Sequence, residues 1–404
     1  MTSSRKSSRA TALLPGSASI GPSPNKHGFV ISFNITKIVS KSEQTCSANG
    51  CFKTARAIKL KKGSVIGRHW QITKRIGEGA FGAVYKVRHI DTDEEAALKA
   101  EYNRANREVL KIEALILRRL EGRPFFPQIL QSGRKTLYSY IVMTLLGESL
   151  DSVIRKVGKV CTISTQIRLG INMLYGLKQL HDIGFIHRDL KPANMALGLR
   201  GTPAQRFIHY FDFGLSREYI ILDTDGRRKM RRPRAKAHFR GTVRYCSANA
   251  LERGEQGRPD DLWALIYVMA ELRGPLPWRR FRDRNTVLNM KRNTPLENLL
   301  ANCPLEMMAF AEHVSCLNYY IRPDYSFLYY LLEQVMTNGS IRFNDPYDWE
   351  VGWKSKEFLS NGRDELFSSP EEDVGTGLSP DDTKGFDEYN PFPAEFFASN
   401  PLGF

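Results

Sequence analysis

The stretch FIHRDLKPANMAL, Phe185 to Leu197, sets five polar side chains between two short apolar runs: His187, Arg188, Asp189, Lys191 and Asn194. Their types suit phosphoryl transfer to a hydroxyl. Asp189 can accept the proton of the attacking hydroxyl, Lys191 can neutralise the group in transfer, and Asn194 can coordinate a magnesium ion. Further on, FIHYFDFGL reads as a strand ending in Asp212, Phe213 and Gly214. Asp212 supplies a hard oxygen ligand, suited to Mg²⁺ bridging the phosphates of ATP.

Two upstream segments could hold the nucleotide. GEGAFGAV carries Gly77, Gly79 and Gly82 at a spacing that a dinucleotide-binding domain also uses before a helix, so the motif alone decides little. The residues just after it, AVYKVRHI, are rich in β-formers and close on an acidic turn. The loop therefore joins two strands, as a flap over phosphates would. Lys99 lies on the next predicted strand, and Glu113 shares a helical face with Val109, Ile116 and Leu120. A carboxylate in an apolar stripe requires a partner. Lys99 is the candidate, and the pair would fix its ammonium against the α- and β-phosphates.

The elements that must position these groups run strands first and helices afterwards. Trp70, Ile72 and Ile76 alternate as a strand, Ala83 to Ile90 forms a second and Ala97 to Ala100 a third; helical periodicity covers Val109 to Leu120 and Ile163 to Leu180. That order predicts an α+β protein of two unequal lobes. With 404 residues, 42% of them hydrophobic, the chain can bury one large core or two moderate ones, and its longest apolar runs are too short to span a bilayer. Six cysteines show neither a Cys-x-x-Cys pair nor zinc-type pairing with histidine.

The net charge of +16 is uneven: +10 in residues 1 to 62, +13 in the middle and −7 from 351 to 404. The first segment, Ser- and Arg-rich without periodicity, reads as a disordered basic tail, and the last as a flexible acidic one. Between them lies the folded domain, 63 to 350, with its lobes dividing near 146 and 147.

Taken together, the motifs from about 68 to 350 resemble the eukaryotic protein kinases, whose motif set is a general template for phosphoryl transfer. HRDLKPAN has the form found in serine/threonine kinases. The resemblance implies the bilobal kinase fold. It also implies Thr242, in GTVRY, as a partner of the catalytic aspartate and lysine, and an ATP site bounded by Ile76, Val84, Ala97, Met143 and Leu145, with Met143 as gatekeeper. By the same resemblance, Asp261 anchors the backbone of the HRD loop. After GTVRY the usual Ala-Pro-Glu is replaced by Ser247, Ala248 and Asn249. That substitution resembles the casein kinase 1 superfamily, and RPDDLWALIYVMAELRGPLPWR and FNDPYDWE look most like its tau-tubulin kinase branch.

GRRKMRRPRAKAHFR, Gly226 to Arg240, holds eight Lys/Arg and no acid. A solvated loop, an import or nucleic-acid segment, and an anion site beside the cleft all fit this charge. For the last, Arg234, Lys236 and Arg240 are the candidates, because relatives favour acidic or already phosphorylated substrates through basic residues in this region. The acidic tail could fold back onto that loop. The sequence thus predicts an ATP- and Mg²⁺-dependent serine/threonine kinase acting on protein substrates, which resemblance extends to cytoskeletal ones. It is expected to be a cytoplasmic or nuclear monomer, with neither membrane nor nucleic acid as partner. The alternative is a catalytically weak pseudokinase serving as a scaffold.

Overall fold

In the computed structural model, which describes residues 58–78, 82–103, 109–158, 160–350 and 390–404, the alternating N-terminal segment forms a twisted antiparallel sheet. Its strands are β1 (Val65–Ile66), β2 (Trp70–Glu78), β3 (Gly82–His89), β4 (Glu95–Tyr102), β5 (Ile129–Arg134) and β6 (Tyr138–Thr144), in the order β1-β2-β3-β4-β6-β5. Ile72, Tyr85, Val87, Leu98 and Val142 fill one face, as period-two alternation requires. Helix α1 (Val109–Arg119) crosses the other, burying Leu110, Glu113, Ala114, Ile116 and Leu117.

The second lobe is mostly helical. Its helices are α2 (Leu150–Val157), α3 (Ile163–Asp182), α4 (Ala248–Leu251), α5 (Arg258–Arg273), α6 (Arg284–Asn293), α7 (Leu296–Leu299), α8 (Glu306–Ser315), α9 (Tyr325–Asn338) and α10 (Ala394–Ala398). Ser149, Thr162 and Ser247 cap α2, α3 and α4 through side-chain oxygens. Helices α3 and α5 are buried nearly all round and form the lobe's centre. The lobe also carries short strands: β7 (Phe185–Ile186), β8 (Met195–Leu197), β9 (Ile208–Tyr210), β10 (Arg217–Glu218), β11 (Ile220–Leu222) and β12 (Arg228–Met230). Pairing of β8 with β9 and of β7 with β10 brings the segments after Ile186 and after Tyr210 together.

Both expected tail boundaries need correction. Ile58 is 3% exposed within the first-lobe core, and its carbonyl accepts the Tyr85 hydroxyl at 2.5 Å, so the lobe extends upstream of residue 63. Residues 390–404 are docked on the second lobe. Phe392 and Phe397 are buried, and Phe396 packs on Tyr175 at 4.1 Å between ring centroids. The acids and Ser-Pro steps of the longer segment are why the stretch reads as a tail; the recess between α3 and α9 gives these few rings the cavity that no extended pattern announces. The expected disorder of 1–57 and flexibility of 351–389 concern residues outside those described.

Candidate active site

Residue 99 sits in the middle of β4, where Lys99 pairs with Val84 on one side and Ile141 on the other. Its Nζ lies 2.5 Å from Glu113 Oε2 and 2.8 Å from Asp212 Oδ1. Glu113 is 1% exposed, so the acid in an apolar stripe has the partner its burial demands. Burial works against the Lys99 charge, but the two carboxylates outweigh it and lift the ammonium above its usual pKa. Burial would likewise raise Asp212, and the Lys99 ammonium reverses that, holding the carboxylate below its ordinary range.

Helix α1 is itself held by a residue that no sequence motif marks. Glu101, at the far end of β4, accepts the Leu110 backbone N–H at 2.9 Å, and a carboxylate at a helix N-terminus is favoured by the unpaired N–H groups there. Gly214 allows the closest approach on the opposite side. A Cβ at that position would stand 2.5 Å from Val109 Cγ1. Asp212 adopts a left-handed conformation with φ of 64°, and Phe213 is buried against His187 and Phe126.

Below this, the catalytic-loop candidates converge. Thr242 donates its hydroxyl to Asp189 Oδ1 at 2.6 Å, Lys191 donates to Asp189 Oδ2 at 2.7 Å and to Thr242 Oγ1 at 3.1 Å, and Asn194 Nδ2 donates to the Asp189 carbonyl at 2.9 Å. Asp189 thus keeps a fixed carboxylate at the cleft floor. The donor set suits a hard cation: Asn194 spends its amide nitrogen on Asp189, and Asp212 gives one oxygen to Lys99, leaving an oxygen on each for Mg²⁺.

The residues expected to bound the nucleotide fall on the sheet face and the strand ends beside Lys99. Ala97 and Met143 are paired neighbours on β4 and β6, both buried; Val84 and Leu145 are half-buried, and Ile76 is exposed near the end of β2 beside Gly77. Gly82 opens β3 so close to β4 that a Cβ would meet the Ala100 carbonyl oxygen. The antiparallel pairing Gly77↔Val84 and Glu78↔Ala83 makes the Gly-rich segment a connection between two strands. Gly79 lies outside the described residues.

The Ser-Ala-Asn triplet has a structural task. Ser247 Oγ donates to Asp260 Oδ1 at 2.5 Å, and Asn249 Nδ2 donates to the same oxygen at 3.0 Å and to the Glu255 carbonyl at 3.1 Å. It ties the end of the segment that runs from Asp212 to Asn249, called the activation segment below, to the start of α5.

The candidate anion trio does not act as one group. Lys236 and Arg240 are exposed, but Arg234 grips Glu255 through Nε at 2.5 Å and Nη2 at 3.0 Å. Arg234 is thereby corrected from a substrate contact to an internal partner, a pairing that 21 residues of separation hide from the sequence. Elsewhere, His69, His89 and Asp91 place ligating atoms within 4.8 Å of one another. Their imidazole planes are parallel within 2° and stacked, so the in-plane lone pairs cannot converge on one ion.

A two-lobed fold with a paired lysine, a loop-borne aspartate and two side chains with an oxygen left over for a cation at its cleft defines a protein kinase. The protein kinase domain family matches residues 70–327, more than half the chain, and the chain belongs to that family. Within it, the chain is a serine/threonine kinase of the casein kinase 1 and tau-tubulin kinase-like type. A Caenorhabditis elegans protein bearing the name of a putative serine/threonine-protein kinase is 43% identical over 350 residues, covering 85% of this chain and 97% of the relative. An inactive tau-tubulin kinase of the same organism is 37% identical over 249 residues, 59% of this chain and 86% of its own. Casein kinase I homolog 3 of Schizosaccharomyces pombe is 30% identical over 318 residues, 77% and 70% of the two chains.

Proposed function

We propose that Asp189 orients and deprotonates the substrate hydroxyl, that Lys191 neutralises the transferring phosphoryl group, and that Thr242 holds both in register. The observation carrying this reading is the four-residue network around the Asp189 carboxylate. Lys99, fixed by Glu113, holds the α- and β-phosphates of ATP. Asn194 and Asp212 would hold Mg²⁺, which when bound offsets phosphate charge. Exposed Lys236 and Arg240 favour acidic or already phosphorylated protein substrates by attraction at the cleft edge. Resemblance to the tau-tubulin kinase branch extends the proposal to cytoskeletal proteins.

A second reading, a scaffold without catalysis, is prompted by the relative named as inactive. Every residue the transfer needs is present in this chain, which favours activity. The test is labelled-phosphate transfer from Mg-ATP to an acidic peptide, its phosphorylated form and a basic peptide, by wild type, Asp189→Asn and the Lys236→Ala/Arg240→Ala double variant. Asp189→Asn should lose about 10²–10⁴-fold in rate. The double variant should raise KM severalfold for the first two peptides only. Equal, negligible transfer by wild type and Asp189→Asn, with ATP still bound, would move the reading to the scaffold.

A further inference from the structure

Arg188, next to the catalytic aspartate, sits in a left-handed turn with φ of 66° and donates from Nε to the Leu215 carbonyl at 2.6 Å. It therefore joins the catalytic loop to the turn that carries Asp212. Burial, and then the charges of Arg217, Arg234 and Arg240, push its pKa down to about 9, with Glu255 acting the other way. Four arginines crowd the place where the two ends of the activation segment meet.

Glu255 lies in that crowd with its side chain 3% exposed. Its carboxylate takes two hydrogen bonds from the Arg234 guanidinium and stands 3.4 Å from Arg217 Nε. Arg217 is on β10, opposite Ile186 and hence beside the start of the catalytic loop. Arg234 lies in the chain that leads to Thr242. One carboxylate thus fastens the outgoing and returning limbs of the segment beside Arg188. A two-bond guanidinium fork and a second guanidinium on one central anion are what a phosphate would require there.

Two of the hydroxyls within the segment are closed to modification. Ser216 and Tyr219 are buried, and the Tyr219 hydroxyl donates to the His181 carbonyl at 2.7 Å. Thr224 is exposed at the tip of the β11–β12 hairpin.

We infer that Glu255 is a built-in counter-anion: a positioning residue that holds the activation segment and catalytic loop in working register without an added phosphate. The inference rests on the catalytic reading of Asp189, and testing it on a substrate without acidic residues keeps any anion preference of Lys236 and Arg240 out of the readout. If Glu255 loses its charge, the arginines lack their internal anion, and Asp189, Asp212 and Thr242 lose alignment. A small free dianion can then enter and restore it.

The experiment uses the full chain and a peptide substrate without acidic residues. Wild type, Glu255→Gln, Glu255→Asp and Arg234→Gln are compared for kcat, KM for ATP and melting temperature. Sodium sulfate is titrated against sodium chloride at matched ionic strength. Glu255→Gln should lose about 10²-fold in kcat, the scale of a 1 Å misplacement, with KM for ATP within about twofold, and sulfate should restore most of the rate. Glu255→Asp should keep much of it, and wild type should not respond to sulfate. Arg234→Gln should lose kcat without sulfate rescue, because its anion is still present.

A wild-type kcat in Glu255→Gln, or a loss that sulfate does not restore in a folded protein, would overturn the inference. Should Glu255→Gln fail to fold, Arg234→Gln decides: a wild-type kcat overturns the inference, and a loss at unchanged KM supports it. An inactive wild type overturns the catalytic reading and this inference together, whereas an active wild type with an unaffected Glu255→Gln overturns this inference alone.

Discussion

Asp261, in the first turn of α5, accepts the backbone N–H of His187 at 2.6 Å across 74 residues of chain. Its other oxygen accepts the Arg188 N–H at 2.8 Å, and His181 Nε2 approaches at 3.0 Å. The catalytic loop is thus fixed to a buried central helix of the second lobe by a carboxylate that never faces substrate. Charge-assisted bonds of this kind are about twice as strong as neutral ones. Asp261→Ala should therefore destabilise the protein by about 3–5 kcal/mol, the scale of breaking a buried charged pair, and reduce kcat; thermal unfolding beside phosphate transfer would check both.

The same carboxylate carries a pH dependence. Burial would raise its pKa, but hydrogen bonds and charge from His181 reverse this and hold it below its ordinary value. Its contribution to stability is complete above the unfolded value and is lost as pH falls through the folded one. Urea unfolding from pH 6 downward should show stability falling more steeply in wild type than in Asp261→Asn below about pH 4. Parallel curves would refute this assignment.

Removing Glu113 leaves Lys99 with Asp212 as its partner. Glu113→Gln should let the ammonium shift toward Asp212 and lower kcat/KM for ATP by about 10²-fold. Steady-state kinetics with varied ATP would measure it, and the melting temperature should change little beside that loss.

Gly214→Ala would press a methyl into Val109 Cγ1, 2.5 Å from the ideal Cβ position. Overpacking of this kind costs about 1–3 kcal/mol, here at the turn carrying Asp212. The single variant should lose activity, and adding Val109→Ala should restore part of it by vacating the space. A double variant as poor as the single one would place the fault elsewhere.

Phe397 stacks on Tyr329 at 4.3 Å and is fully buried, while Arg258 donates to the Phe404 carbonyl at 2.8 Å. Phe397→Ala should cost about 3–5 kcal/mol, readable as a lower melting temperature. Deleting 390–404 should destabilise the kinase, so cutting the chain after residue 350 would remove part of the core as well as the acidic stretch. An internal deletion of 351–389 is the cleaner test of any acidic fold-back on the basic loop.

Chemistry held in local order was legible in the chain. Asp189, Lys191 and Asn194 lie close together in sequence, so the loop between two apolar strands already confines them. Glu113 announced its partner because helical periodicity placed a charge on an apolar face, and burial of a lone charge is too costly to stand. The Gly-rich connection and the change from strands to helices obey the same local rules.

Tertiary structure decided the contacts whose partners are far apart or aperiodic. Arg234 read as one cation among eight until folding set it against Glu255, and Glu101 gave no sign of reaching the N-terminus of α1. Phe392, Phe396 and Phe397 are too few, in a stretch broken by Pro391 and Pro393, to establish a face, and only the recess beside Tyr175 and Tyr329 turns them into core. Periodicity reports which face of one element is apolar; it is silent on which distant charge or cavity that element will meet. Sequence alone therefore determined which groups are candidates for the reaction, and the three-dimensional fold determined what holds them in register.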